Sequence, residues 1–261
     1  MDQIGKALSK ARTQSGVADS ATIVDFEIPK GQLARKALVY SQTRVIPVNE
    51  VAMRRNRILA GSVNSKLGDV YRLLRAQVLK KMAKARVTTL GVTSPLKGEG
   101  ATFTAANLAV AIASDVNQTV LLVDANLRDP SVHRVFGFEP MKGLSDLLMG
   151  RATVGECLIN PGIPRLVLLP SRTATTESAE LLSSPGMSNL ARELKQRYAD
   201  RIIIYDLPPV LASGDAVGFL PYVESTLMVV RSGAVDSEEL RRAVDLVRDH
   251  NLIGTVLNAV V

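Results

Sequence analysis

Tryptophan is missing from this 261-residue chain, and tyrosine and phenylalanine number 5 each, so there are few aromatic platforms on which single-stranded bases could stack. Nucleic acid is accordingly not expected as a partner. The one cysteine, Cys157, cannot form an internal disulfide, and no Cys/His run has metal-ligand spacing. A reducing cytoplasm and no structural zinc are expected. No stretch approaches the roughly 20 apolar residues that span a bilayer, and the start, "MDQIGKALSKARTQ", lacks the apolar core of a signal peptide. A cytoplasmic chain follows, soluble or peripheral at the inner face of the membrane. What is present is a 46% hydrophobic composition, enough for one large core plus an extension, which excludes a disordered protein. Lys and Arg total 32 against 25 Asp and Glu, a net charge of +7. That balance suits an acidic partner such as nucleotide phosphate or anionic lipid, and equally an ordinary solvated basic surface.

Two regions differ in pattern. Residues 1–64 read as an irregular basic extension: an amphipathic helix over 2–12 with Ile4, Ala7, Leu8 and Ala11 on one face, short β-like pieces "ATIVDFEI" and "RVIPV", and the basic run "MRRNR". The first helix would suit docking on a partner, on a membrane surface or on its own domain. Residues 65–261 read as one domain. It opens with a helix over 65–83 whose apolar positions include Leu67, Val70, Leu74 and Val78. The continuous apolar runs "VTTLGVTS", "TVLLVDA", "RLVLLPS", "RIIIYDL", "STLMVVRS" and "IGTVLNAVV" then alternate with helix-length segments. Runs of that kind are strands buried on both faces, and their alternation with helices predicts an α/β fold with a mainly parallel central sheet and helices on both faces. Ligands of such folds bind at the carboxyl ends of the strands.

The stretch "SPLKGEGATFT" lies where the first buried run turns into a helix. Gly98 and Gly100 permit positive φ, so successive amides can point at phosphate oxygens while the helix adds its N-terminal amides. Against the phosphate-loop pattern G-x-x-x-x-G-K-[ST], the chain has Pro95 at the first position and Ala101 at the lysine, with Thr102 at the hydroxyl position that holds Mg²⁺. Two further strands end in carboxylates, "TVLLVDANLRDP" in Asp124 and "RIIIYDLPPVL" in Asp206. One strand-end aspartate is often only a turn former. Two beside a glycine loop form the usual set for Mg²⁺ and water around a nucleoside triphosphate.

Together these motifs resemble the bacterial tyrosine autokinases of exopolysaccharide and capsule assembly, the CpsD/CapB-like kinases, which share a P-loop NTPase-like fold with Par/Min-type ATPases. The likeness covers about residues 65–258. The glycine loop corresponds to "TSPLKGEGAT", and "LLVDANLR" matches a D-x-D-x-R pattern through Asp124 and Arg128, with Asn126 in place of the second acid. The run Arg128, Pro130, His133, Phe136, Gly137 follows a family pattern, as do "AELLSS" and "IIIYDLPPVLASGDA". The resemblance implies an ATP- or ADP-binding site with Mg²⁺ and nucleotide contacts from Lys97, Gly98, Glu99, Gly100, Ala101, Thr102 and Phe103. Asn258 in "GTVLN" stands where such ATPases often read adenine. Thr102, Asp124 and Asp206 would hold the metal, and Asp124, Asp206 and Arg128 would serve catalysis. Asp69, Arg72 and Arg75 in "DVYRLLR" resemble a self-association motif, implying a homo-oligomer, and the family implies a membrane-anchored polysaccharide chain-length (co-polymerase) partner.

Three departures bear on activity. The phosphate-bridging lysine is replaced by Ala101, and removing such a charged partner costs about 2–5 kcal/mol. Asn126 removes a second charge. No tyrosine follows Tyr222, although the family carries a tyrosine cluster at its C-terminus. Lys97, one residue past the signature lysine of Par/Min-type loops, is a candidate substitute cation. Three readings stay open: an autokinase with weakened or lost phosphoryl transfer, an inactive pseudokinase scaffold on the membrane partner, and a Par/Min-type positioning ATPase.

Overall fold

Apolar runs without polar alternation need cover on both faces, and here they form the interior strands of an eight-stranded sheet. The computed structural model describes residues 43–58, 66–197 and 200–258, all within one unit, 42–261. In chain order the elements begin with β1 (Arg44–Val45), α1 (Glu50–Arg55), α2 (Lys66–Ala85), β2 (Thr89–Thr93), α3 (Ala101–Ala113) and β3 (Thr119–Asp124). Next come α4 (Val132–Phe136), α5 (Leu144–Leu148), α6 (Val154–Cys157), β4 (Ile159–Asn160), β5 (Leu166–Leu169), α7 (Ser178–Leu182) and α8 (Pro185–Arg197). The chain closes with β6 (Arg201–Asp206), α9 (Asp215–Phe219), β7 (Ser225–Arg231), α10 (Ser237–Val247) and β8 (Leu252–Asn258).

The strand order is β1-β4-β5-β3-β6-β2-β7-β8, with every pairing parallel except β4 with β5. The expected mainly parallel α/β sheet is therefore present. β2 lies between β6 and β7, and β6 lies between β2 and β3, so the loop after β2 and the ends of β3 and β6 share one edge. Helix α3 packs across β2, β3 and β6, and from Thr104 to Ala113 every residue is buried. Its sequence, "ATFTAANLAVAIA", is apolar nearly all round, which suits a helix covered on all sides. Helix α2 covers α3 from outside.

Two details differ from the sequence expectation. On α2 the buried stripe is Gly68, Tyr71, Val78 and Met82, while Val70, expected on the apolar face, is 60% exposed together with Leu73. The Tyr71 ring sets the phase: it stacks edge-on against Phe103 with centroids 6.2 Å apart, rotating Val70 outward. In addition, residues 44–58, read as part of the extension, are built into this unit. β1 pairs with β4, α1 packs on α4, and Ile58 is buried in the core. The helix expected over 2–12 and the piece "ATIVDFEI" lie outside the described residues.

Candidate functional site

The strand β2 ends at Thr93, and the next seven residues turn the chain into α3. Gly98 and Gly100 take φ of +85° and +94°, conformations that glycine reaches without a Cβ penalty. Gly100 is also the N-cap of α3, so the unpaired amides of the first helical turn begin at Ala101 and Thr102. A Cβ on Gly100 would lie 2.2 Å from Asn258 Nδ2, which itself donates to the Glu99 carbonyl at 2.8 Å. Asn258 thus anchors the loop to the end of β8. Between the glycines Glu99 is 1% exposed; burial pushes its carboxyl up, only partly opposed by the Arg231 and Leu96 amides.

Asp124 and Asp206 are direct neighbours in the β3–β6 register, and both are fully buried. Asp124 Oδ2 accepts from the amides of Ser131 and Val132, each at 3.0 Å, while its Oδ1 has no hydrogen-bond partner. Neither oxygen of Asp206 makes a hydrogen bond of good geometry, although the Thr102 side chain is close enough to favour its charge. Desolvation pushes Asp124 up to about 7 against the pull of its amide donors. Desolvation also raises Asp206, and the charge of Asp124 raises it further. The Ser131 hydroxyl lies 3.3 Å from Thr102 Oγ1, so loop, hydroxyl and carboxylates converge.

Three buried carboxylate oxygens without partners, beside a threonine hydroxyl, are hard donors of the type that bind Mg²⁺. Among the described residues no three Asp, Glu, His or Cys side chains come together as a metal cage. Two carboxylates and a hydroxyl match Mg²⁺, which keeps several waters and takes its other ligands from phosphate. The residues present fit that ion.

The cations are placed otherwise. Lys97 is 79% exposed and ion-paired to Asp129 at 2.8 Å, beyond the glycine turn. Lys97 first and Arg134 second hold the Asp129 carboxyl below its usual range. Arg128 is bidentate to Asp215, Nε to Oδ2 at 2.7 Å and Nη2 to Oδ1 at 3.0 Å. Burial penalises the Asp215 charge, but the two bonds from Arg128, with the nearby Ser178 and Ser213 side chains, outweigh it and leave the carboxyl low. Asn126 Oδ1 accepts the Asp129 amide at 3.3 Å. Ala101 is half-buried at the start of α3, and Phe103 turns its ring to Tyr71. On α2, Asp69 pairs with Arg72, whereas Arg75 turns inward to the Ala111 carbonyl at 3.0 Å.

A glycine turn between strand and helix, with buried carboxylates at two adjoining strand ends, defines a P-loop NTPase-like α/β protein. The septum site-determining protein MinD of Pyrococcus horikoshii, solved with Mg-ADP, shares this fold at 20% identity, with a TM-score of 0.55 over 65% of this chain and 69% of that one. No protein-family model matches the chain. Tyrosine-protein kinase YwqD of Bacillus subtilis is 32% identical over 208 residues, covering 79% of this chain and 86% of the relative. The chain therefore belongs to the bacterial tyrosine-protein kinase family. Tyrosine-protein kinase wzc of Salmonella typhi is 31% identical over 195 residues, 74% of this chain but 27% of that longer protein, so the chain spans about a quarter of it. The kinase domain of Escherichia coli tyrosine kinase ETK superposes with a TM-score of 0.72 at 26% identity, over 85% of this chain and 90% of that domain.

Sequence reasoning did not find the amides of Ser131 and Val132 that hold Asp124. Nor did it find Asn49 and Asn56, whose side chains reach α4 from α1. The first could have been sought in "DPSVH", a helix start seven residues after a strand-end aspartate. Nothing local announces the second.

Proposed function

We propose that this chain binds ADP or ATP with Mg²⁺ at the 94–102 loop and is a member of its kinase family in which phosphoryl transfer to tyrosine is weakened or lost. The observation that carries the reading is Asp206: a fully buried carboxylate with both oxygens unpaired, next to Asp124 and Thr102 at the end of the glycine loop. A charge in that position is costly to the fold and suits a divalent cation. Thr102, Asp124 and Asp206 would hold Mg²⁺, which when bound neutralises phosphate charge. The amides from Gly98 to Thr102 would take the phosphates, and Asn258 lies against the same loop on the side of β8. Ala101 stands in place of lysine, and the two cations nearest in the family pattern, Lys97 and Arg128, are paired to Asp129 and Asp215.

The same pairing supports a second reading, an inactive scaffold of exopolysaccharide or capsule assembly that self-associates through the exposed part of α2 around Asp69 and Arg72 and docks on a membrane chain-length protein. Names of relatives, among them a "putative tyrosine-protein kinase in cps region" of Klebsiella pneumoniae, support that setting. Calorimetry with ADP, with and without Mg²⁺, followed by incubation with labelled ATP, tests both. Mg²⁺-dependent binding with little phosphotyrosine is expected. Absence of nucleotide binding leaves the scaffold, and transfer undiminished against an Ala101→Lys, Asn126→Asp variant refutes the loss of chemistry.

A further inference from the structure

Helix α4 has five residues, too short to hold a fixed direction by its own hydrogen bonds, so its orientation is set by what grips its two ends. At its N-terminal end the amides of Ser131 and Val132 clasp Asp124 Oδ2, leaving Oδ1 as the free oxygen. Its C-terminal end is gripped from α1. Asn56 Nδ2 donates to the carbonyls of Arg134 and Val135 at 3.0 and 2.9 Å, and Asn49 Nδ2 donates to Gly137 O at 2.8 Å. Gly137 takes φ of +74°, and a Cβ there would sit 2.2 Å from the Ala52 Cβ, so glycine allows the two helices to meet.

The grip is itself anchored. Ile58 is buried in the core, and Asn107 on α3 donates to the Arg57 carbonyl at 3.2 Å. Segment 49–58 therefore ties the helix that begins at the glycine loop to the helix that clasps Asp124.

We propose that Asn56 and Asn49 are positioning residues for the Mg²⁺-nucleotide site, fixing through α4 the direction in which Asp124 presents its free oxygen. The inference rests on the reading of that site given above. Outer partners of metal-binding carboxylates typically change metal affinity about 10–100-fold when removed, and a partner one step further out should fall at the lower end.

The test measures ADP affinity of the full chain by calorimetry, with Mg²⁺ and with EDTA, in four proteins: wild type, Asn56→Ala, Asn49→Asp and, as a control, the exposed Val51→Ala. Asn49→Asp keeps an Oδ1 to accept the Ala52 amide while losing the donor to Gly137, so it carries the test should Asn56→Ala fail to fold. The expected result is unchanged Mg²⁺-free affinity in all four, with the Mg²⁺ enhancement reduced about tenfold in the two asparagine variants only. If both keep the wild-type enhancement, or lose affinity equally with and without Mg²⁺, the positioning role is wrong while the site stands. If the wild type itself shows no Mg²⁺-dependent binding, the site reading falls and takes the positioning role with it.

Discussion

Replacing Asp206 by asparagine should stabilise the ligand-free protein, and by more as the pH rises. The side chain is fully buried, both oxygens are unpaired, and burial and then Asp124 push its carboxyl up from the 3.8 it has when exposed. Above that value the unfolded chain has released the proton, while the folded protein still holds it. The folded state then binds one proton more, and stability falls by about 1.4 kcal/mol per pH unit for each such group. The contribution is complete below the unfolded value and is lost as pH rises through the folded one. Asparagine has no proton to lose, so above the unfolded value the gap between variant and wild type should widen by about 1.4 kcal/mol per pH unit, or about 3–6 °C in melting temperature for a domain of this size, until Asp206 ionises in the folded protein. Urea denaturation of both proteins in EDTA, at three pH values, reads it directly. Taking the difference between the proteins cancels His133, whose burial-lowered value tilts both curves alike. Saturating Mg²⁺ and ADP should narrow the gap, since ligand at about 100 times its Kd adds about 2.7 kcal/mol to the wild type alone. A gap that stays flat or shrinks with pH would refute the argument, because Asp206 would then have a partner that the geometry does not show.

Three further outcomes follow. Ala101→Lys, at a half-buried position in the first turn of α3, should supply a charge-assisted phosphate contact and tighten Mg²⁺-dependent ADP binding about thirtyfold, or about 2 kcal/mol, by calorimetry. Gly137→Ala combines a left-handed backbone with a contact of 2.2 Å to Ala52, and should cost about 2–4 kcal/mol in urea denaturation. Cys157 is fully buried and burial pushes its thiol up to about 11, so a thiol reagent should label it in urea and leave the native protein unlabelled over hours.

The parallel sheet was legible because "TVLLVD" and "RIIIYD" have no polar face to turn toward water, and the same runs place Asp124 and Asp206 at strand ends. Their direct pairing follows from the adjacency of β3 and β6, a strand order that the sequence does not state. The two-residue strands β1 and β4 were not legible as a pair, since pieces so short have no periodicity of their own and form by what lies beside them. The same holds for side chains whose partners are remote. Asn56 and Asn49 bond to carbonyls 79 and 88 residues away, and Arg75 reaches a carbonyl 36 residues on, so no local pattern could distinguish them from solvated polar groups. Lys97 looked like a phosphate ligand by its place in the loop; its partner Asp129 comes from the turn after β3.

The two strand-end carboxylates do not argue equally for a ligand. Asp124 repays part of its burial by accepting the Ser131 and Val132 amides, so the fold has a use for it whether or not anything binds. Asn126 likewise keeps a structural contact, taking the Asp129 amide through Oδ1, the bond an aspartate would make there, so exchanging acid for amide removes charge and leaves the turn. Ala101 contributes a backbone amide at a helix start and packs, half-buried, against the core. Asp206 is the opposite case: it is buried, unpaired and repelled by its neighbour, and supports no turn or helix. A residue that only weakens the ligand-free fold is what the proposed Mg²⁺-nucleotide site would explain, since a cation beside it would offset the cost of its buried charge.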